Sequence, residues 1–396
     1  MRFPEFKGEW KKCKLLEVCS FFSGGTPSSK KEYYDGNIPF IRSGELHKAQ
    51  TELFITEDGL KNSAAKMVEV GDLLLALYGA TSGDIAISKI NGAINQAILC
   101  VRTEQNKKFI ESIWYKHVGK LLHTYLQGGQ GNLSADIVKN ISFYFARIEE
   151  QKKLAKFISK LDERIATQIK IIKKYESLIK GLSNKVFSQD IRFKTNNGNN
   201  FPNWKTKSFE HIGQPFSGLS GKAKEDFGIG KPYIQYKQVF DSPKIQIQNC
   251  GLVNVSNSEK QNNVKYGDIL FTISSETPGE IGMSSVLLDE VDEMYLNSFC
   301  FGYRLSSFEV LNPLYASYLF RDSSFRNKIV KIAQGSTRYN ISKSELLKLE
   351  ISLPCIEEQV LIASFLLAVD EKIKIGKEVL NLYLKQKNYL LRQMFI

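Results

Sequence analysis

The sequence has little of what marks membrane spans, metal clusters or catalytic centres. No apolar run reaches the roughly 18–20 residues needed to cross a bilayer, and no cleavable signal stands at the N-terminus. The six cysteines, Cys13, Cys19, Cys100, Cys250, Cys300 and Cys355, form no C-x-x-C pair. Several sit in apolar, strand-like runs, which points to reduced core thiols in a cytoplasmic protein rather than to disulfides or zinc. The four histidines, His47, His117, His123 and His211, are dispersed. His117 and His123 share one expected helix but lack metal-ligand spacing and a nearby carboxylate pair.

Catalytic motifs are equally scarce. There is no G-x-x-x-x-G-K-[ST] phosphate loop, which speaks against an ATP motor. Asn312-Pro313-Leu314-Tyr315 approaches the Asn-Pro-Pro-Tyr motif of amino-methyltransferases, but Leu314 replaces the second proline and no glycine-rich cofactor loop precedes it. It reads as a helix start. The turns Phe22-Ser23-Gly24 and Phe216-Ser217-Gly218 occur once per half at a domain start and read as structural turns, not phosphate loops. Glu276 and Glu280 lie close in sequence, with no nearby lysine to complete a nuclease-like set. The chain reads as non-catalytic, with no metal site and no cofactor of its own.

What is present is positive charge and a repeat. The net charge of +12 points to a polyanionic partner, and the basic residues are scattered, as on a folded surface rather than a disordered arm. A hydrophobic fraction of 42% and a length of 396 residues allow two globular domains with proper cores.

The stretch from Ile148 to about Ser188 places Ile158, Leu161, Ile165, Gln168, Ile172, Tyr175, Ile179, Leu182 and Val186 in alternating steps of three and four. That is the seam of a long helix built to pack lengthwise on another, and Gln168 is its one polar member. The C-terminus repeats the pattern. Ile148-Glu149-Glu150-Gln151 matches Ile356-Glu357-Glu358-Gln359, and Phe157, Asp162, Glu163, Ile165 and Tyr175 match Phe365, Asp370, Glu371, Ile373 and Tyr383. The second seam runs through Leu366, Val369, Ile373, Gly376, Leu380, Tyr383, Leu390 and Met394, with Gly376 aligned to Gln168. The two helices are therefore expected to pair within one chain, most loosely at that polar position.

Further echoes order the rest. The halves open with Phe3-Pro4-Glu5-Phe6 and Phe201-Pro202-Asn203-Trp204, on either side of a polar linker at 195–200. Strands are expected at 38–42 and 231–235, after the turns Gly71-Asp72 and Gly267-Asp268, and at 93–98 and 295–299. Helices are expected from Phe109 to Leu126 and from Pro313 to Ala333. Polar loops recur at matching places with different side chains: one scaffold with two recognition surfaces. Such side chains suit base edges, where Arg reads guanine and Asn or Gln reads adenine.

On the Phe-Pro-x-[Phe/Trp] openings, Gly24-Gly25-Thr26-Pro27-Ser28, both Gly-Asp turns and both Ile-Glu-Glu-Gln helix starts, the whole chain resembles the specificity (S) subunit of type I restriction-modification systems. The second half departs at Ser217-Gly218-Leu219-Ser220, losing the Thr-Pro pair. The resemblance implies an α+β fold: two similar mixed α/β target-recognition domains separated by two long helices that form an antiparallel intramolecular coiled coil, pseudo-twofold symmetric. The segments are 1–147 and 201–355 for the domains, 148–194 and 356–396 for the helices, and 195–200 for the linker. It implies double-stranded DNA as ligand, one half-site per domain and a spacer set by the coiled coil. It also implies two methyltransferase (modification) subunits and motor-nuclease (restriction) subunits as partners, which bring S-adenosylmethionine, ATP and Mg²⁺, and it implies no membrane.

Candidate base-contacting residues lie on the loops, because core strands must pack. In the first domain they are Arg42, Ser43, Glu45, Lys48, Tyr78, Thr81, Ser82, Gln130 and Asn132. In the second they are Gln235, Tyr236, Lys237, Gln238, Ser275, Glu276, Thr277, Thr337, Arg338 and Tyr339. The rival readings are a coiled-coil DNA-binding regulator or adaptor acting without modification subunits, and a self-contained methyltransferase.

Overall fold

The computed structural model describes residues 2–125, 132–335 and 337–395. The chain divides into two units, 1–170 with 377–396, and 171–376, so the divisions fall inside the two long helices. The first long helix is Ile148–Phe187 and the second is Ile356–Met394.

Each unit contains the same sheet. In the first, the strand order is Ser20–Ser23, Ile98–Arg102, Leu73–Ala76, Ile85–Ile87. In the second it is Gly213–Ser217, Cys300–Leu305, Ile269–Thr272, Ser284–Val286. The central strands are apolar on both faces, and Leu73, Leu74, Leu75, Ile269, Leu270 and Phe271 are all buried. A second sheet in each unit carries one parallel pair, Phe40↔Ala93 and Ile41↔Ile94 in one, Tyr233↔Tyr295 and Ile234↔Leu296 in the other.

The repeated motifs explain this likeness in physical terms. Gly71 and Gly267 take φ of +96° and +83°, a left-handed turn that disfavours any side chain. The carboxylate of Asp72 then accepts from the Glu69 amide (3.1 Å), and that of Asp268 from the Lys265 amide (2.7 Å). Arg102 and Arg304 clamp these carboxylates and lie over the rings of Phe22 and Phe216. The Phe-Ser-Gly turns, the Gly-Asp turns and one strand arginine thus form a single brace, once per unit.

The Ile-Glu-Glu-Gln starts are a second brace. Glu150 pairs with Arg2, and Glu358 with Arg192. Gln151 accepts from the Asn106 amide (3.0 Å) and donates to the carbonyl of Ala146 (2.8 Å). Gln359 accepts from the Asn312 amide (2.9 Å) and donates to the carbonyls of Val310 and Pro354 (both 3.0 Å). Asn106 and Asn312 in turn cap the helices Lys107–Tyr125 and Pro313–Leu319. Asn312-Pro313 is therefore a capped helix start.

Three sequence expectations need correction. The apolar runs at 93–98 and 295–299 are not single strands; each is a corner at Asn95 or Asn297 between strands of two sheets. The amides of Ile98 and Cys300 turn back to the Asn95 and Asn297 carbonyls. The helix expected over 313–333 is two, Pro313–Leu319 and Ser323–Ile332, because Asp322 caps the second through the Ser324 amide. The first long helix ends at Phe187, and 195–200 is an ordered turn in which the Thr195 amide donates to the Asn199 carbonyl.

Every seam position is buried or half-buried, from Ile158, Leu161, Ile165, Gln168, Ile172, Tyr175, Ile179, Leu182 and Val186 to Leu366, Val369, Ile373, Gly376, Leu380, Tyr383, Leu390 and Met394. Within the first unit the helices run antiparallel: Leu391, Met394 and Phe395 join Trp10, Phe109, Leu154 and Ile158 in one core, while Tyr383 lies beside Leu161 and Gln168. Within the second, Val186 and Phe187 join Ile362, Ala363 and Leu366. Each long helix therefore ends in the core of the unit in which it did not begin, and each large buried side chain there contributes roughly 1.5–3 kcal/mol. Cys100 and Cys300 are buried and all six cysteines are free.

Candidate nucleic-acid interface

Three segments meet on each unit, and one of the contacts that join them is the same in both, an amide of the third segment donating to a carbonyl of the second. In the first unit the loop after the strand Tyr34–Ile41 meets the loop after Leu73–Ala76 through His47, whose Nε2 lies 2.9 Å from Asp84. The third loop joins where the Leu133 amide donates to the Leu77 carbonyl (2.9 Å). In the second unit the Tyr236 hydroxyl donates to the Ser274 carbonyl (2.9 Å), and the Ile341 amide donates to the Ile273 carbonyl (3.0 Å). A short ladder adds Ser274↔Asn340 and Ser275↔Tyr339. The frame is shared; the side chains it displays are not.

In the first unit the candidates are largely engaged with one another. Arg42 binds Glu45 and Glu52 (3.1 Å to the latter), and Lys48 binds Glu52 (3.0 Å). Glu45 is only 3% exposed and also accepts from Thr51 and the Glu52 amide. Burial works to raise the Glu45 carboxyl, but Arg42, the backbone amides and Thr51 outweigh it and hold it at about 2. It is a loop brace rather than a group offered to a base. Tyr78 is 39% exposed, Asn132 is exposed, and Ser43, Thr81 and Ser82 are half-buried. The Ser82 hydroxyl donates to the Leu77 carbonyl. Gln130 lies outside the described residues.

In the second unit five candidates, Tyr236, Lys237, Ser275, Glu276 and Arg338, line one cleft of about 560 Å³. Ser275 is buried in its floor, where its hydroxyl accepts from the Thr277 amide (3.2 Å). Lys237 is held by Asp241 (2.6 Å), and Thr277 donates to Glu280 (2.6 Å). Burial raises the Tyr236 phenol, which stays a neutral donor. Gln235 and Gln238 border a neighbouring cleft with Lys237, and Gln238 donates to the Gln246 carbonyl. Thr337 is exposed and Tyr339 half-buried.

Sequence reasoning missed Phe299, which is 58% exposed at the cleft, and Phe240, whose ring stacks on Tyr236. Phe299 was hidden inside an apparent strand; Asn297, a turn former, was the available signal. On the seam it missed Lys387, which reaches Asp162 at 2.6 Å alongside Lys108. The repeat of Asp162 at Asp370 was the clue that this position takes two donors, although those of Asp370, Tyr318 and Lys244, both lie off the other long helix. A cleft of about 560 Å³ opens beside Gln168, between Phe157, Leu161, Tyr383 and Gln386.

Comparison with known proteins agrees with this duplicated design. The family model described as the type I restriction modification DNA specificity domain matches residues 7–176 and again 191–383. The type I restriction enzyme MjaVIII specificity subunit of Methanocaldococcus jannaschii is 23% identical over 96% of this chain and 89% of its own length. The solved S subunit of the type I system from M. genitalium superposes with a TM-score of 0.59 at 15% identity, covering 100% of this chain and 99% of that one. A solved chain from work on complex assembly and conformational transition of a type I system gives 0.61 at 16% identity, over 98% and 97%. With one match of the family model in each half, the chain belongs to the type I restriction-modification DNA specificity family.

Proposed function

We propose that the protein is the DNA-reading specificity subunit of a type I restriction-modification complex, and that it reads a two-part duplex target, one part with the loops of each unit. The observation that carries this reading is the recurrence in both units of one sheet frame and of the contact that ties the third segment to it, Leu133 to Leu77 and Ile341 to Ile273, with different side chains around it. Two equal frames would address two sites, and unlike side chains would make those sites unlike. The basic chain, at a net +12, suits the phosphate contacts that supply sequence-independent affinity. The two long helices set the spacer, because a 40-residue helix is about 60 Å long at 1.5 Å per residue.

In this reading the chain does no bond chemistry. Two modification subunits act on S-adenosylmethionine and restriction subunits use ATP and Mg²⁺, all in the cytoplasm, while this chain supplies only the address. The test is to assemble the full chain with its modification subunits, expose duplex DNA of diverse sequence, and map the methylated adenines. The expected result is one motif of two short defined blocks around an undefined stretch of fixed length. Methylation governed by a single contiguous block, or independent of this chain, would overturn the proposal.

A further inference from the structure

We infer that the cleft of the second unit reads a C·G base pair, with Glu276 accepting from cytosine and Arg338 donating to guanine. This rests on the DNA-reading function proposed above and names the chemistry of one of its two half-sites.

The short ladder places these groups. Ser274 pairs with Asn340 and Ser275 with Tyr339, so Glu276 and Arg338 are the next residues on the two facing segments, one rung beyond the ladder's end. Both line the cleft and both are exposed. They have not closed on each other, and neither side chain has a hydrogen-bond or ion-pair partner among the described residues. The other charges of the cleft are already engaged, Lys237 with Asp241 and Glu280 with Thr277. One acceptor and one donor fork are thus left unpaired, side by side, in a cleft walled by Tyr236, Phe240 and Phe299. An apolar wall makes hydrogen bonds formed there count for more than the same bonds on an open surface.

The major-groove edge of a C·G pair is the complement of that arrangement. Cytosine N4 donates, and guanine O6 and N7 beside it accept, which fits a carboxylate next to a guanidinium that can bond twice. An A·T pair in the same orientation offers the carboxylate the adenine N6 donor but gives the guanidinium only one acceptor, on thymine, flanked by a methyl group. Counted from the matching contacts Leu133 to Leu77 and Ile341 to Ile273, the sequence counterparts of Glu276 and Arg338 in the first half are Ala80 and Gln130, neither of them charged. The two half-sites should accordingly differ at this position.

The test is selection from a randomised duplex library by the full chain assembled with its modification subunits, for wild type, Arg338→Ala and Glu276→Ala. Wild type should return a two-part motif in which one block holds an invariant C·G pair, preferred by roughly fivefold to a hundredfold over other pairs. Each variant should flatten that preference at that one position, leave the other block unchanged, and keep the wild-type thermal midpoint. An Arg338→Ala variant that weakens binding to all sequences equally would make Arg338 a phosphate contact, and a Glu276→Ala variant that leaves the base preference intact would take Glu276 off the base edge; either would overturn the inference. So would a wild-type motif in which the block that responds to the variants has no fixed C·G pair. Recovery of no two-part motif by wild type would instead sink the DNA-reading function itself, and this inference with it.

Discussion

Gln151 offers the sharpest test of how the fold is held. Its side chain has no exposure and makes three hydrogen bonds: it accepts from the Asn106 amide (3.0 Å) and donates to Gln105 (2.7 Å) and to the Ala146 carbonyl (2.8 Å). In Gln151→Ala the Asn106 amide is orphaned at the start of the helix Lys107–Tyr125, and the Ala146 carbonyl loses its donor at the start of the long helix. Leaving buried groups unsatisfied in this way costs about 2–4 kcal/mol in total. For a unit of this size that lowers the thermal midpoint by roughly 5–15 °C. The control is Glu149→Ala, in the same motif but exposed, which should stay within about 0.5 kcal/mol of wild type. Calorimetry gives the midpoints, and hydrogen exchange locates the loss of protection in the first unit. Gln359→Ala should act alike in the second unit, through Asn312, Val310 and Pro354. The reasoning fails if Gln151→Ala changes stability by less than 1 kcal/mol, or if Glu149→Ala is as damaging.

Other expectations are as direct. A Cβ at Gly24 would stand 1.8 Å from the Ile94 carbonyl oxygen, and one at Gly218 2.2 Å from that of Asn297, whereas one at Gly44 meets nothing within 4 Å. Gly24→Ala and Gly218→Ala should each lose roughly 2–4 kcal/mol in a denaturant titration, with Gly44→Ala close to neutral. His47 is raised above its ordinary 6.5 chiefly by Asp84, against partial burial. Its contribution is present in full below the ordinary imidazole value and is lost as pH rises through the higher folded value. The stability difference between wild type and His47→Ala should thus narrow with rising pH across that window. It should stay within about 1 kcal/mol, because the pair is half exposed.

The parts that were legible in the sequence are those with a period or a repeat. The seam could be read because burial on a helix recurs in steps of three and four, and because the same steps appear twice. The Gly-Asp turns and the Ile-Glu-Glu-Gln starts stood out as duplicates, but their purpose did not. That the glutamine holds a helix cap, and that the aspartate takes a strand arginine, depends on partners distant in sequence. Identical pairings still respond to their surroundings. At Asp72 burial pushes the carboxyl up, but Arg102, the Glu69 amide and Lys107 together outweigh it and lower it, while at Asp268 burial prevails over Arg304 and the Lys265 amide and raises it. The loop reading needs correction: Tyr236, Lys237 and Gln238 open the helix Tyr236–Asp241, Ser275 and Tyr339 pair in a ladder, Glu45 and Ser275 are buried, and which side chains stay free could not be read. Arg42 and Arg338 look alike in sequence; only the fold shows one closed on Glu45 and Glu52 and the other left open to the cleft.

The claim at the centre of this account is that the loops read and the helices measure. The most direct measurement is of the target's spacer after lengthening both helices together. Seven helix-forming residues are inserted between Lys170 and Ile171, and seven more between Gly376 and Lys377, the two points at which the units divide. Each insertion adds about 10.5 Å of helix and preserves the seam phase, a displacement of about three base pairs. Methylated adenines are then mapped on DNA exposed to the assembled complex. The account predicts unchanged half-sites with a spacer about three base pairs longer. A folded, active variant that still methylates the wild-type spacing would contradict it.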